Sequence, residues 1–244
     1  MNEFIAISSL FFTGGFLGWI MEVFWRRFVS HRKEHKWINP GFLKGPILPI
    51  YGFGLAGLYE IKRILCMVFP QTWWATVCIL AIMILGMTLI EYVGGIVFIK
   101  GLGIKLWDYS DQWGNIQGVI CPLYSLFWGI VAVLYYFLID PIAVKYVELC
   151  ASWQWSLLLI GLLGGIALVD FAQSVDLSMR IRAFAKKHSI VVNFEKMKTS
   201  VTEWREQHKI RPKFVRFVTM EELKEGLQYH LDGLLKNLKD IIEK

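Results

Sequence analysis

The sequence is dominated by long apolar segments. Five blocks of about 20 residues or more stand out, at about 4–26, 46–66, 72–99, 118–139 and 153–178. An α-helix needs about 20 apolar residues to cross the hydrocarbon core of a bilayer, which is roughly 30 Å thick. Only 19% of the residues are charged, whereas soluble domains carry about a quarter. We therefore predict an all-α integral membrane protein with five transmembrane helices.

The basic residues predict how these helices are oriented. Lysine and arginine concentrate in cytoplasmic loops, and here they are frequent at 26–44, after the first block, and at 180–187, after the fifth. We therefore place the N-terminus outside and the C-terminus in the cytoplasm, in a multi-pass protein of the cell membrane. The net charge of +6 follows from basic flanks that face anionic lipid, so we expect no nucleic-acid partner.

The composition divides the chain into a membrane domain, 1–179, and a helical cytoplasmic tail, 180–244. Near its end the tail contains TMEELKEGLQYHLDGLLKNLKDIIEK, which begins with a capping box, Thr219 and Glu222. Leucines then recur at alternating spacings of four and three, which predicts a helix over 219–243 with one apolar stripe. The stripe fits packing on the same chain, a homodimeric coiled coil or a partner protein.

Small residues within the spans offer a second route to a homodimer. Gly14 and Gly18, and likewise Gly161 and Gly165, are four residues apart, a spacing that lets two helices approach closely. Packing within one chain explains the same spacing equally well.

The segment 39–54, NPGFLKGPILPIYGFG, combines apolar residues with three prolines and four glycines. Proline interrupts a regular helix, and irregular backbone at membrane depth needs protein or a watery cavity to satisfy its polar groups. We predict a re-entrant or broken-helix element that lines a cavity open to the cytoplasm. The alternative is a tight interfacial loop followed by a kinked second helix.

Three acidic residues lie inside the predicted spans. Such a residue costs roughly 2.5–3.5 kcal/mol at the centre of a membrane helix, so each requires a reason. Glu22, Glu91 and Asp170 all fall about 27 Å from the outer end of their spans, at 1.5 Å per residue. This shared depth predicts an acidic cluster in the inner leaflet. Alternatively, Glu22 pairs with Arg26 one turn on, whereas Glu91 has no basic residue within four positions.

Several segments together resemble one known family. They are GWIMEVFWR around Glu22, the segment 39–54, the pair EY at 91–92, and WDYSD at 107–111 followed by N-x-x-G-x-I-C-P-L-Y-S-L-F-W-G. Over about residues 10–140 the chain resembles the bacterial family named putative ABC-transporter type IV, a permease-like group. The positions that match its pattern are Glu22, Asn39, Gly41, Pro46, Tyr51, Glu91, Trp107, Asp108, Tyr109, Ser110, Asn115, Gly118, Cys121 and Ser125.

The resemblance implies a transport component of the bacterial plasma membrane. The chain contains no G-x-x-x-x-G-K-[ST] motif, so a separate ATPase subunit would have to bind ATP. An acidic and polar cavity would bind a small ligand, an ion or a lipid head group, and membrane lipid is a further partner. The candidate ligand-binding residues are Glu22, Asn39, Tyr51, Glu91, Trp107, Asp108, Tyr109, Ser110, Asn115, Cys121 and Ser125.

An enzyme is the competing hypothesis. Glu91 or Asp108 would act as general base on a lipid or lipid-linked substrate at the cytoplasmic interface. A divalent-cation site built from the oxygens of Glu22, Glu91 and Asp108 stays open as well. The five histidines lie in the first loop and the tail, so we expect no His-rich metal site within the membrane.

Overall fold

The computed structural model describes residues 3–28 and 39–187. It also describes eight single positions beyond them: Ser200, Glu203, Trp204, Gln207, Glu225, Gln228, Tyr229 and Asp232. The coiled-coil prediction for 219–243 and most of the predicted tail therefore lie outside the described residues.

Six helices make up the described chain, and they confirm the all-α class. They are α1 (Glu3–Phe28), α2 (Pro49–Val68), α3 (Trp73–Val97), α4 (Pro122–Leu134), α5 (Asp140–Ser152) and α6 (Ser156–Lys187). Two short π-helical segments, Phe98–Leu102 and Tyr135–Ile139, extend α3 and join α4 to α5. The residues that the structure describes contain no β-strand, and 80% of them are helical.

Four stretches of helix are long and apolar enough to cross a membrane: Glu3–Phe28, Trp73–Leu102, Pro122–Ser152 and Ser156–Met179. They confirm a membrane protein. The predicted count of five spans is not confirmed, because α2 is not among the four. Within its 20 residues α2 carries Glu60, Lys62 and Arg63, a charge density that lowers its hydropathy below that of the other four.

The predicted re-entrant element is likewise not confirmed. Residues 39–48 form a series of bends without helix, and α2 begins at Pro49. Pro49 is suited to the first turn of a helix because the missing N–H would have no intrahelical partner there. Tyr51, Gly52 and Gly54 therefore lie in a regular helix that follows a loop.

The connections define two ends of the bundle. The loop end carries the long connections 39–48 and 103–121, and the turn end carries the short connections 69–72 and 153–155. Between them α1 to α5 share one apolar core, which includes Leu10, Leu58, Met83 and Tyr135. Helix α6 packs on α1 and on the first π-helical segment, and most of its apolar surface remains exposed.

Pro141 accounts for the second π-helical segment. We expected the fourth span to end at 139, before Asp140 and Pro141, but the helix continues through them to Ser152. The N–H of Asp140 bonds the carbonyl of Tyr135, five residues back, and Pro141 has no N–H. The Tyr136 carbonyl therefore lacks both of its possible helical donors, since the N–H four residues on already bonds Tyr135 and the residue five on is proline. It accepts a hydrogen bond from Lys62 Nζ at 2.8 Å instead.

Glycines hold α1 and α2 in close contact. A Cβ atom added at Gly52 would lie 2.6 Å from the backbone carbonyl oxygen of Phe11, and one added at Gly18 would clash with the Tyr51 ring. The Gly14 and Gly18 pair is therefore used within the chain. At Gly161 and Gly165, in contrast, an added Cβ would meet nothing within 4 Å.

This difference predicts opposite effects for two alanine substitutions. We expect Gly52→Ala to lower the free energy of unfolding by about 1–3 kcal/mol, because backbone must move to admit the methyl group. Gly101→Ala, in the first π-helical segment, is the matched control, because a Cβ added there also meets nothing within 4 Å. It should be neutral or stabilising by up to about 1 kcal/mol through helix propensity. Unfolding in SDS, followed by circular dichroism, measures both. Equal stability of the two variants would contradict the tight α1–α2 contact.

Candidate functional site

Asn39 organises the first loop. Its Oδ1 accepts a hydrogen bond from the Trp19 indole at 2.6 Å, and its Nδ2 donates to the carbonyls of Leu43 and Lys44 at 3.3 and 2.7 Å. A single side chain therefore closes the 39–48 loop on itself and fixes it to α1. These bonds give Asn39 a structural role.

Asp170 attaches α6 to the same loop. Its two carboxylate oxygens accept hydrogen bonds from the backbone amides of Lys44, at 3.0 Å, and Gly45, at 2.8 Å. Ser174, one turn along α6, adds a hydroxyl at 3.3 Å. Asp170 thus lies at the loop end, as its depth predicted, but it bonds a loop backbone and is not part of a carboxylate cluster.

Glu22 connects α1 to α2. Its Oε1 lies 2.8 Å from Arg26 Nε, the pairing along one helix face that the spacing allowed. Its Oε2 accepts a hydrogen bond from the Tyr51 hydroxyl at 3.2 Å. The Tyr51 ring lies against Trp128 of α4, with ring centroids 5.9 Å apart.

Glu91 is the most enclosed acid of the predicted set, with 3% of its surface exposed. The hydroxyl of Tyr109 donates to Oε1 and the indole of Trp128 donates to Oε2, both at 3.0 Å. Each carboxylate oxygen is therefore satisfied by a different element, the 103–121 loop and α4. We call the connected set Glu22, Arg26, Tyr51, Glu91, Tyr109 and Trp128 the loop-end network.

The 103–121 loop is braced by its own hydrogen bonds. The Trp107 indole donates to the Val119 carbonyl at 2.8 Å, and Asn115 bonds the amide of Gly118 and the carbonyls of Ser110 and Gln112. Gly118 has a positive φ of 68°, which glycine adopts without strain. The loop is thus a compact unit that holds Tyr109 toward Glu91.

Two side chains of this loop have shifted pKa values. Burial alone would raise the pKa of Asp108, but hydrogen bonds from Ser110 and Lys105 outweigh it and hold the pKa below its usual value. Asp108 therefore stays ionised near neutral pH. Burial, and then the charge of Glu91, raises the pKa of Tyr109 well above its usual value. The phenol consequently keeps the proton that it donates to Glu91.

The structure distributes the predicted residues over four places. Glu22, Tyr51, Glu91 and Tyr109 meet in the loop-end network. Trp107, Asp108, Ser110 and Asn115 brace the loop beside it, and Asn39 braces the other loop. Cys121 is buried just before α4, and Ser125 accepts a hydrogen bond from Thr88. That these residues bind a ligand stays a prediction.

Trp128 and Arg26 complete the network and were missing from the predicted set. Trp128 lies within the matching segment C-P-L-Y-S-L-F-W-G, and a buried indole N–H usually finds an acceptor. The need for a buried indole to find an acceptor could have pointed to Trp128 as a site residue. It does not indicate, however, that the acceptor lies 37 residues away.

The candidate carboxylates do not come together as the predicted divalent-cation site requires. Among the described residues, no group of three or more His, Cys, Asp or Glu side chains lies close enough to hold a metal ion. Glu22, Glu91 and Asp108 each have separate partners. Glu22, Glu91 and Asp170 likewise bond different partners. They lie at the same end of the bundle but do not form the predicted acidic cluster.

The comparisons with known proteins give one match. A family model described as "Putative ABC-transporter type IV" matches residues 9–175, which extends the resemblance into α6. No curated protein and no solved structure matches the chain. The matched range runs from within α1 to within α6, includes both loops of the loop end, and exceeds half of the 244 residues. The chain therefore belongs to the putative ABC-transporter type IV family.

Proposed function

We propose that this chain is the membrane component of an ABC-type transport system, with its loop end in the cytoplasm. Family membership over residues 9–175 supports the transport assignment. The basic residues at 26–44 and 180–187 support the orientation. Because the chain has no P-loop motif, a separate ATPase subunit supplies ATP hydrolysis and docks on the loop end.

The loop-end network is the proposed site for a small ligand, an ion or a lipid head group from the cytoplasmic leaflet. The observation that carries this proposal is the enclosure of Glu91, whose carboxylate is bonded by Tyr109 and Trp128. Ionisable groups inside the membrane are retained mainly for function. A ligand that carries hydrogen-bond donors or positive charge would compete with Tyr109 for Glu91 Oε1.

Tyr109 would transmit the binding of a ligand at Glu91 to the surface of the protein. It belongs to the self-braced 103–121 loop, and its ring stacks on Tyr124 of α4 at a centroid distance of 4.1 Å. Loss of the bond to Glu91 would free the Tyr109 hydroxyl from α3, while Trp107 and Val119 of the same loop stay packed on Gly95 of α3. A protein docked on that loop would therefore respond to occupancy of the site.

A homodimer is part of the proposal. Gly14 and Gly18 are occupied by α2, whereas the face of α6 with Gly161, Gly164 and Gly165 has room for another helix. Close approach of small residues is a common way for membrane helices to associate. A second copy of α6 fits this face.

Photo-crosslinking in the source cells tests the docking surface. Trp113, at the tip of the 103–121 loop, is 87% exposed, and we would replace it with a photoreactive phenylalanine analogue. We expect crosslinks to a protein that carries the P-loop motif, identified by mass spectrometry. The matched control is Trp153 at the turn end, which is also an exposed tryptophan and should give no such crosslink.

When the tagged chain is purified from the same cells in a mild detergent, the ATPase subunit should co-purify with it and give the preparation ATPase activity. Crosslinks to a P-loop protein from Trp153 and not from Trp113 would reverse the proposed orientation. If neither position crosslinks to one and the purified chain carries no ATPase activity, the transport proposal is wrong.

A further inference from the structure

A cavity of about 460 Å³ lies at the turn end, on the opposite side of the molecule from the loop-end network. It is bounded by the end of α2, the 69–72 turn, the start of α3 and the second π-helical segment. The proposed transport function makes no use of it.

The polar side chains that line the cavity all carry hydrogen-bond donors. They are the ammonium of Lys62, the amide of Gln71 and the hydroxyls of Thr72, Thr76 and Tyr136. All of them can donate a hydrogen bond, and none of the lining residues is acidic. Phe69, Trp73 and Ile79 provide apolar wall beside them. The lining therefore suits an occupant that has acceptor oxygens at one point and an apolar body next to them.

Lys62 is held in place by two fixed acceptors. Its Nζ donates to Asp140 Oδ2 at 2.7 Å and to the Tyr136 carbonyl at 2.8 Å, the carbonyl that Pro141 leaves without a helical partner. A lysine ammonium has three N–H donors. The ammonium also lies 4.1 Å from the centroid of the Tyr136 ring, a cation–π contact. Lys62 borders the cavity, so an anionic oxygen bound there would compete with this ring for the third N–H.

The position of the cavity points to the membrane–water interface. Trp73 and Trp74 stack on each other beside it, at a centroid distance of 3.6 Å, and both are more than 60% exposed. Trp153 and Trp155 lie exposed in the neighbouring turn. Tryptophan concentrates at the depth of lipid head groups, so the donors of the cavity lie where lipid phosphates are found.

We propose that this turn-end cavity binds the phosphodiester group of a membrane phospholipid. Lys62, Gln71 and Thr72 donate hydrogen bonds to its oxygens, and the acyl chains follow the apolar surface of α2 and α3. Because Asp140 already neutralises Lys62, recognition depends on the set of donors more than on net charge. A phospholipid and a soluble phosphate both carry the phosphate oxygens that these donors recognise, and the probes below distinguish the two sources.

Cys66 provides a direct assay, because its thiol is exposed and lines the cavity. We would measure its alkylation by N-ethylmaleimide in the purified full chain, with peptide mapping. Cys78 is exposed but does not line the cavity, so it reports general changes in the detergent micelle. The added probes are phosphatidylglycerol, diacylglycerol with the same acyl chains, and inorganic phosphate.

We expect phosphatidylglycerol alone to protect Cys66, by about tenfold when its concentration is about nine times the dissociation constant. Protection by inorganic phosphate as well would support the phosphate site and identify a soluble source. Equal protection by diacylglycerol, or no protection by any probe, would overturn the proposal.

Variants then assign the donors. Lys62→Met combined with Asp140→Asn removes the ammonium without leaving a lone charge, and it should abolish the protection. Gln71→Ala, at an exposed position outside any helix, should weaken the protection without affecting folding. Lys145→Met is the matched control, since Lys145 is exposed on α5 and does not line the cavity. Full protection in both the double variant and Gln71→Ala would refute the assigned donors.

Discussion

Replacing Glu91 with alanine is expected to lower the free energy of unfolding by about 2–6 kcal/mol. The substitution removes the acceptor of two buried donors, the Tyr109 hydroxyl and the Trp128 indole. Each unsatisfied donor costs about 1–3 kcal/mol. Unfolding in SDS, followed by tryptophan fluorescence, measures the change.

Glutamine at the same position should be tolerated much better. Its carbonyl oxygen can still accept from Trp128, which is a donor only, and its amide can donate to Tyr109, since a hydroxyl is also an acceptor. We expect a loss below about 1.5 kcal/mol, the size of one ordinary hydrogen bond. Glu148→Gln, at an exposed acid on α5, is the control and should be near zero.

The pair of variants separates structure from charge. Glu91→Gln keeps the fold but cannot ionise, so it is the variant in which to measure ATP hydrolysis by the purified complex. A drop in ATPase activity with normal stability would assign a function to the carboxylate. Equal destabilisation by alanine and glutamine would contradict the hydrogen-bond account and show that the fold itself needs the charge.

The membrane class and three of the helices could be predicted because their signal is local. The blocks that became α1, α3 and α6 are long and apolar, and only a helix satisfies their backbone polar groups in lipid. The segment 39–54 was harder, because proline is compatible both with a broken helix and with the first turn of a regular one. Its loop conformation depends on Asn39 and Asp170, whose partners include backbone groups that no sequence pattern marks.

The candidate site was predictable in part for the same reason. Glu91 stood out because no basic residue lies within four positions, and the structure gives it partners 18 and 37 residues away. The equal depths of Glu22, Glu91 and Asp170 predicted a common end of the bundle. Depth does not specify rotation about the helix axis, however, and rotation decides which carboxylates meet.

The helix through Asp140 and Pro141 shows how tertiary contacts overrode a local signal. The fourth apolar block ended at about 139, yet a π-helical segment carries the helix on through Asp140 and Pro141. The Tyr136 carbonyl, which lacks a helical partner there, is bonded by Lys62 from α2. Lys62 and Asp140 appeared in the sequence as separate charges near the ends of different spans. In the structure they form one ion pair in which each side chain is only 16% exposed.

That ion pair predicts the second large effect. We expect Lys62→Met to lower the free energy of unfolding by about 3–5 kcal/mol, because it leaves the Asp140 carboxylate largely buried without its counter-charge. Among the residues that the structure describes, only the Tyr135 hydroxyl, at 3.2 Å from Asp140 Oδ1, would still bond it. The Tyr136 carbonyl would lose its donor as well.

Adding Asp140→Asn to Lys62→Met should restore most of the lost stability. Replacing both members of a buried pair by neutral groups is often close to neutral, whereas removing one is not. SDS unfolding of the two single variants and the double variant gives the coupling energy directly, and Lys145→Met controls for the loss of a positive charge at the same end. If the double variant is no more stable than Lys62→Met alone, the damage comes from the Tyr136 carbonyl and the π-helical segment, not from the unpaired carboxylate. The stability of α4–α5 would then depend on Lys62 as a hydrogen-bond donor to a backbone that proline has interrupted.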